Sequence, residues 1–237
     1  MKLDPHPENA TFSQNNLIEE KILWFPIRNR KRVIHEVERL KSVGIRQLKV
    51  GVDCIEFNTK KGMRGYDWLI PLLADSFDLE LCFDNFPMKT ICGKAPKHWL
   101  PEIVEHFIFR HGDHFDNIQL CRQSLDRAKH PGDENIFAED MVFSATWARY
   151  LGKKVCLGKI QPGDFEWISK LVPTRFFAHI DSIEIDNENG DLGSNSAKFY
   201  ERALQSLFHA KGVDTKIRCC QLTSTNLNLS STRGIAC

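Results

Sequence analysis

Seven short apolar runs recur along the chain, and amphipathic stretches separate them. The runs Lys21 to Phe25, Gln47 to Val52, Leu79 to Phe83, Asn117 to Cys121, Lys154 to Ile160, Ile180 to Ile185 and Lys216 to Gln221 have strand length and strand composition. Between them, apolar residues return at helical spacing. Val33, Val37 and Leu40 share one face, and Gly44 follows as a stop. Phe137, Met141, Ala145 and Ala148 share another, stopped by Gly152. Phe199, Ala203, Leu204, Leu207 and Phe208 form a third, stopped by Gly212. Asp164 is placed to cap a helix that carries Phe165, Ile168 and Leu171.

Strand centres recur at roughly 25–40 residues, the length of a βα unit, and parallel strands need such crossovers. The pattern predicts an α/β protein of (β/α)₈ TIM-barrel type, incomplete at about seven βα units. An open doubly wound sheet is the alternative, but no glycine-rich phosphate loop follows the first strand. After Gln221 the run Leu222-Thr223-Ser224-Thr225-Asn226 is polar and lacks helical periodicity. A further helix, strand and closing helix would need about 40 more residues. The expected division is a loose leader over 1–20, a barrel over 21–221 and a polar tail over 222–237.

Composition excludes several classes of function. The 237 residues carry 32 Lys and Arg against 31 Asp and Glu, which gives no electrostatic reason to expect nucleic acid or an anionic membrane as partner. No stretch approaches the roughly 18 apolar residues of a membrane span, and the N-terminus has no signal-like apolar region; a cytoplasmic location is expected. Eight cysteines are many, but none form a Cys-x-x-Cys pair. Cys54, Cys82, Cys121, Cys156, Cys219 and Cys220 lie in or beside apolar runs, where buried, reduced thiols are expected. Three histidines, His106, His111 and His114, cluster in and just after one predicted helix. They fall at the N-terminal, stability-determining face of a barrel, and neither a metal nor a cofactor is expected.

Several segments carry a family resemblance. Gly65-Tyr66-Asp67-Trp68-Leu69-Ile70-Pro71-Leu72-Leu73-Ala74 with Leu79 to Asp84, then Arg110-His111-Gly112-Asp113-His114-Phe115, then Phe137-Ala138-Glu139 with Trp147 to Lys154, then His179-Ile180-Asp181, occur in order. Together they resemble the glycosidase-like barrel found beside, or fused to, NAD-dependent nucleotide-sugar epimerases of the CDP-paratose epimerase type. The likeness spans roughly residues 20 to 221. It implies a glycoside hydrolase-like barrel in carbohydrate metabolism, with an acid/base glutamate after the fourth strand and a nucleophilic glutamate after the seventh.

The sequence departs from that pattern where the chemistry would be. The family's Trp-Asn-Glu-Pro is matched by Cys121-Arg122-Gln123-Ser124, its Thr-Glu by Cys220-Gln221, and its Ile-His-Gly by Ile185-Asp186-Asn187. Retaining hydrolysis needs two carboxyl groups about 5–5.5 Å apart. Glutamines at 123 and 221 can hydrogen-bond a hydroxyl, but they cannot attack an anomeric carbon or carry its leaving-group proton. Other strand-end carboxylates, Asp53, Asp84, Glu184 and Asp186, either form a relocated acid/base pair, supply oxygen ligands to a divalent metal as in sugar isomerase barrels, or cap helices and pair with Arg122, Lys159 and Arg218. Phe86, just after the third strand, is the best aromatic candidate for stacking on a sugar, whereas Trp68, Trp147 and Trp167 sit at helical positions suited to packing.

Three readings follow. The leading one is a catalytically degenerate pseudoenzyme whose mouth binds a carbohydrate through Asp53, Asp84, Phe86, Arg122, Gln123, Asp186 and Gln221. Its partners would be the carbohydrate ligand, a nucleotide-sugar epimerase, or a second copy meeting it at the open barrel edge. The alternatives are an active carbohydrate enzyme, a glycosidase or an isomerase/epimerase, that uses relocated carboxylates, and a truncated remnant with no independent role.

Overall fold

The computed structural model describes residues 22–84, 100–121, 133–160, 164–165, 168–169, 176–185 and 194–219. Its elements run β1 (Ile22–Leu23), α1 (Arg30–Ser42), β2 (Gln47–Asp53), α2 (Cys54–Phe57), α3 (Lys60–Ala74), β3 (Asp78–Asp84), α4 (Leu100–His111), β4 (Phe115–Cys121), α5 (Asp133–Tyr150), β5 (Lys154–Ile160), β6 (Ser182–Ile185), α6 (Ser194–Ala210) and β7 (Lys216–Cys219). The seven strands form one sheet in sequential order, β1 to β7, and each neighbouring pair is parallel. Sequential order with a crossover at each step is the winding of a (β/α) barrel, with seven strands among the described residues. The first strand is the shortest: only Ile22 and Leu23 pair, with Lys49 and Val50.

Local chemistry explains where the helices begin and end. Asn29 caps α1 by accepting from the Arg32 amide at 3.1 Å, and Thr59 caps α3 by accepting from the Gly62 amide at 2.9 Å. After α1, α5 and α6 the chain turns through Gly44, Gly152 and Gly212 at φ of 78, 81 and 67°, a left-handed conformation that costs glycine little.

The apolar core lies between the sheet's outer face and the helices. Leu48, Val50 and Val52 on β2, Leu79, Leu81 and Phe83 on β3, Ile118 and Leu120 on β4, and Val155 and Leu157 on β5 are all buried there. They meet Val33, Val37 and Leu40 of α1, Leu69, Ile70 and Leu73 of α3, Phe107 of α4, and Met141, Ala145 and Ala148 of α5. The periodicity expected for α6 holds only in part. Leu204 and Phe208 are buried, but Phe199, at the start of the expected stripe, is 68% exposed. The helix expected from Asp164 falls mostly outside the described residues, although Ile168 is fully buried.

Candidate functional site

The alternate positions of the same strands are polar. In β2, Leu48, Val50 and Val52 alternate with Gln47, Lys49, Gly51 and Asp53. In β3, Leu79, Leu81 and Phe83 alternate with Asp78, Glu80, Cys82 and Asp84; Ile118 and Leu120 of β4 alternate with Asn117 and Gln119. Side chains on a strand alternate between its two faces. The outer phase is committed to the helices, so the polar phase faces the inside of the curved sheet. Barrel interiors are usually filled with branched apolar residues, and this one is not.

Contacts across the lumen confirm that orientation. Lys49 of β2 donates to Glu184 Oε1 of β6 at 2.5 Å, and Gln119 of β4 donates through Nε2 to Glu184 Oε2 at 2.6 Å. No two of these strands are neighbours, so their side chains meet only by converging on the interior. Glu80 of β3 stands 3.9 Å from the Lys49 ammonium, and Cys82 Sγ lies 3.4 Å from Gln119 Oε1. Lys49, Gln119 and Glu184 are buried.

Electrostatics fixes the state of Lys49. Burial works against its charge, but the Glu80 and Glu184 carboxylates outweigh burial and raise its pKa above the ordinary lysine value. The amine is therefore held as an ammonium. Cys156 of β5 lies in the same interior. Burial, with the nearby Glu80 and Glu184 charges, pushes its thiol up to about 12 against the opposing hydrogen bond from Ser182. Cys54, Cys82 and Cys156 are buried thiols in no disulfide, as expected.

Two glycines make the lumen network fit. A Cβ built on Gly158 of β5 would lie 1.6 Å from Gln119 Nε2 and 2.4 Å from its Cγ. One on Gly51 of β2 would fall 2.6 Å from the Trp24 ring. Both are inward positions, and a larger residue would displace Gln119 at 158 and the Trp24 ring at 51.

Asp53 and Asp84 end β2 and β3 and are register partners, Asp53 opposite Asp84, so the structure brings these two candidates side by side. They stand four residues beyond Lys49 and Glu80, about 13 Å along the strands. Asp53 also serves the fold. Its Oδ1 accepts from the Glu56 amide at 2.8 Å and caps α2, while its own amide donates to the Tyr66 hydroxyl at 2.8 Å. Phe86, Arg122, Gln123, Asp186 and Gln221 lie outside the described residues.

A cavity of ≈ 930 Å³ opens at the other end of the barrel, lined by Gln47, Glu80, Asn117, Lys154, Cys156 and Ser182 among others. Barrel enzymes place their chemistry at the C-terminal ends of the strands; this opening is at the N-terminal ends. Sequence reasoning did not single out Lys49, Glu80 or Gln119. The signal that could have found them is the strict alternation in β2 and β3, since strands buried on two apolar faces read as continuous hydrophobic runs.

Outside the barrel, the expected packing role of the tryptophans holds for Trp68, which is partly buried against the core beneath the Arg30 guanidinium at 4.8 Å. Trp147 stacks on Tyr150 with ring centroids 5.5 Å apart. Buried His111 of α4 approaches Asp67 of α3 at 3.0 Å; burial holds its pKa below the ordinary imidazole value, against the pull of that carboxylate.

No protein-family model matches the sequence, and no curated protein matches it. Among solved structures, the chain is similar to 3-keto-D-glucoside 4-epimerase, YcjR, from E. coli in its apo form. The TM-score is 0.39 and the identity 10%, over 84% of this chain and 90% of that one. A likeness that distant lends no activity to this chain, and the barrel assignment rests on the strand order. No described helix is long and apolar enough to cross a membrane.

Proposed function

We propose that the barrel binds a small polyhydroxylated ligand of the carbohydrate class at the C-terminal ends of its strands and performs no glycoside hydrolysis. The observation that carries this reading is the double engagement of Glu184. One carboxylate oxygen accepts from the Lys49 ammonium and the other from the Gln119 amide, so this buried strand carboxylate serves as an acceptor within the interior rather than at the strand ends, where a substrate would meet it. Lys49 is likewise committed. The interior groups hold one another and form a polar, rigid floor beneath Asp53 and Asp84. A few convergent hydrogen-bonding groups on such a floor suit hydroxyl recognition. The glutamines at 123 and 221, and Phe86 as a stacking face, support the same reading from the sequence.

Calorimetry with pentoses, hexoses and their nucleotide derivatives tests it, alongside assays on aryl glycosides. Binding weakened by Asp84→Asn and Phe86→Ala, without turnover, is the expected result. A flat response across the panel, or turnover that survives Asp84→Asn, overturns it.

A further inference from the structure

Three side chains that the lumen does not use converge in the helical layer outside it. Asp67, midway along α3, faces α4, which contributes His106 and His111. Asp67 Oδ1 stands 3.4 Å from His106 Nε2 and 3.0 Å from His111 Nε2, and the three ligand atoms lie within 4.8 Å of one another. We infer that Asp67, His106 and His111 form a binding site for a divalent transition-metal ion of the zinc type, clasping α3 to α4.

The spacing supports this. Zinc takes nitrogen and carboxylate ligands at about 2.0–2.1 Å in tetrahedral geometry, so its ligand atoms stand about 3.3 Å apart. The two Asp67–histidine separations bracket that value, and the histidine nitrogens lie within 4.8 Å of each other, a gap that a turn of the partly exposed His106 ring closes. Two imidazoles and one carboxylate also form a donor set that zinc, cobalt and nickel favour over magnesium or calcium, which prefer all-oxygen ligands. Three protein ligands leave a fourth position for water.

Access and support are both present. His111 is buried, with its side chain 4% exposed, whereas His106 and Asp67 are 29% and 26% exposed, so an ion can enter from solvent onto a fixed first ligand. Phe57 packs edge-on against His106 at 5.0 Å between centroids, and Phe107 lies 6.0 Å from His111. These rings restrict how the imidazoles can turn, which preserves the ligand geometry. The Arg110 guanidinium is a competitor, 3.7 Å from the same Asp67 oxygen. Its side chain is 63% exposed, and an exposed pair of this kind is worth little, so an arriving dication can displace it. The competing account is that Asp67 merely bridges two histidines by hydrogen bonds.

The full-length chain, stripped with chelator, should be titrated with Zn²⁺ by calorimetry and with Co²⁺ by visible absorption. One Zn²⁺ per chain, a raised melting temperature and the absorption of tetrahedral Co²⁺ with nitrogen and oxygen ligands are expected. Loss of an outer-shell partner alone costs 10–100-fold in affinity, so loss of a ligand in His106→Gln should weaken Zn²⁺ binding by about 100-fold or more. His106 is partly exposed and its replacement leaves the core intact; an unchanged metal-free melting temperature in that variant confirms that the fold is retained. Asp67→Asn should weaken binding in the same way. The proposal is overturned by a wild-type chain that takes up no stoichiometric zinc. It is equally overturned if His106→Gln binds within about threefold of wild type, or if the Co²⁺ spectrum shows thiolate ligands, which would place the ion on cysteines.

Discussion

The Gln119 side chain occupies the space that a Cβ on Gly158 would need, and this overlap fixes the amide against Glu184. A methyl at 158 would stand 1.6, 2.3 and 2.4 Å from Nε2, Cδ and Cγ of Gln119. No small rotation of the amide relieves three such contacts, so the whole side chain must leave. Gly158→Ala is therefore expected to break the Gln119–Glu184 hydrogen bond and to destabilise the fold by about 1–3 kcal/mol. Chemical denaturation checks the magnitude. Adding Gln119→Ala to Gly158→Ala should recover part of the loss, because it removes the group that clashes; a double variant no more stable than the single one would show that the strain lies elsewhere.

The Lys49–Glu184 pair joins strands separated by 135 positions in sequence. Removing one partner of a buried pair leaves an uncompensated charge, at a cost of about 3–5 kcal/mol. Lys49→Met removes the ammonium that both carboxylates face and should reach that range. Glu184→Gln leaves the ammonium with Glu80 and should cost less. Equal losses, or a smaller loss for Lys49→Met, would show that the interior is wetter than its burial indicates.

Stability should fall on the alkaline side. Burial raises the pKa of Cys54 and pushes Cys156 up to about 12, against about 8.5 for an unfolded cysteine. Burial also raises Tyr66, and the carboxylates raise Lys49 against the effect of burial. A group whose pKa is raised on folding gives its full stability below the unfolded value and loses it as pH rises. The thiols should therefore begin to erode stability above about pH 8.5, and Tyr66 and Lys49 above about pH 10. Urea midpoints at pH 7, 9 and 10.5 should decline in that order, and Cys156→Ala should flatten the first step. A constant midpoint would contradict the buried placement of these groups.

Asp53 can be separated into its two roles by two substitutions. Asp53→Ala removes the cap on α2 and should cost about 1 kcal/mol, whereas asparagine caps nearly as well and should be close to neutral for stability. If the carboxylate also contacts a ligand, Asp53→Asn will weaken ligand binding at unchanged stability. A similar stability loss in both variants would mean that the charge, and not the cap, holds the β2–α2 corner.

All seven strand positions were legible because each pairs an apolar phase with a crossover of the right length. The faces of α1 and α5 were legible too, since Val33, Val37 and Leu40, or Met141, Ala145 and Ala148, recur once per turn whatever the fold. Phe199 broke the rule for α6: periodicity says which residues share a face, but not how far along that face the neighbour extends. The candidate site was read from strand ends by family resemblance, and of its residues the described structure contains Asp53 and Asp84, set side by side by register.

The chain alone determined that the strands are parallel and successive, because crossover spacing and apolar patterning act over a few dozen residues. It also pointed to buried thiols, which holds for Cys54, Cys82 and Cys156 among the described residues. Only the tertiary structure decided what the polar phase of those strands is for. Lys49, Gln119 and Glu184 lie on three strands that are not neighbours, and Asp67 and His106 on two different helices. Whether such groups meet depends on the curvature of the sheet and the packing of its helices, which no local pattern encodes. A lysine in a strand reads as solvated until the curved sheet brings two carboxylates against it to hold its charge.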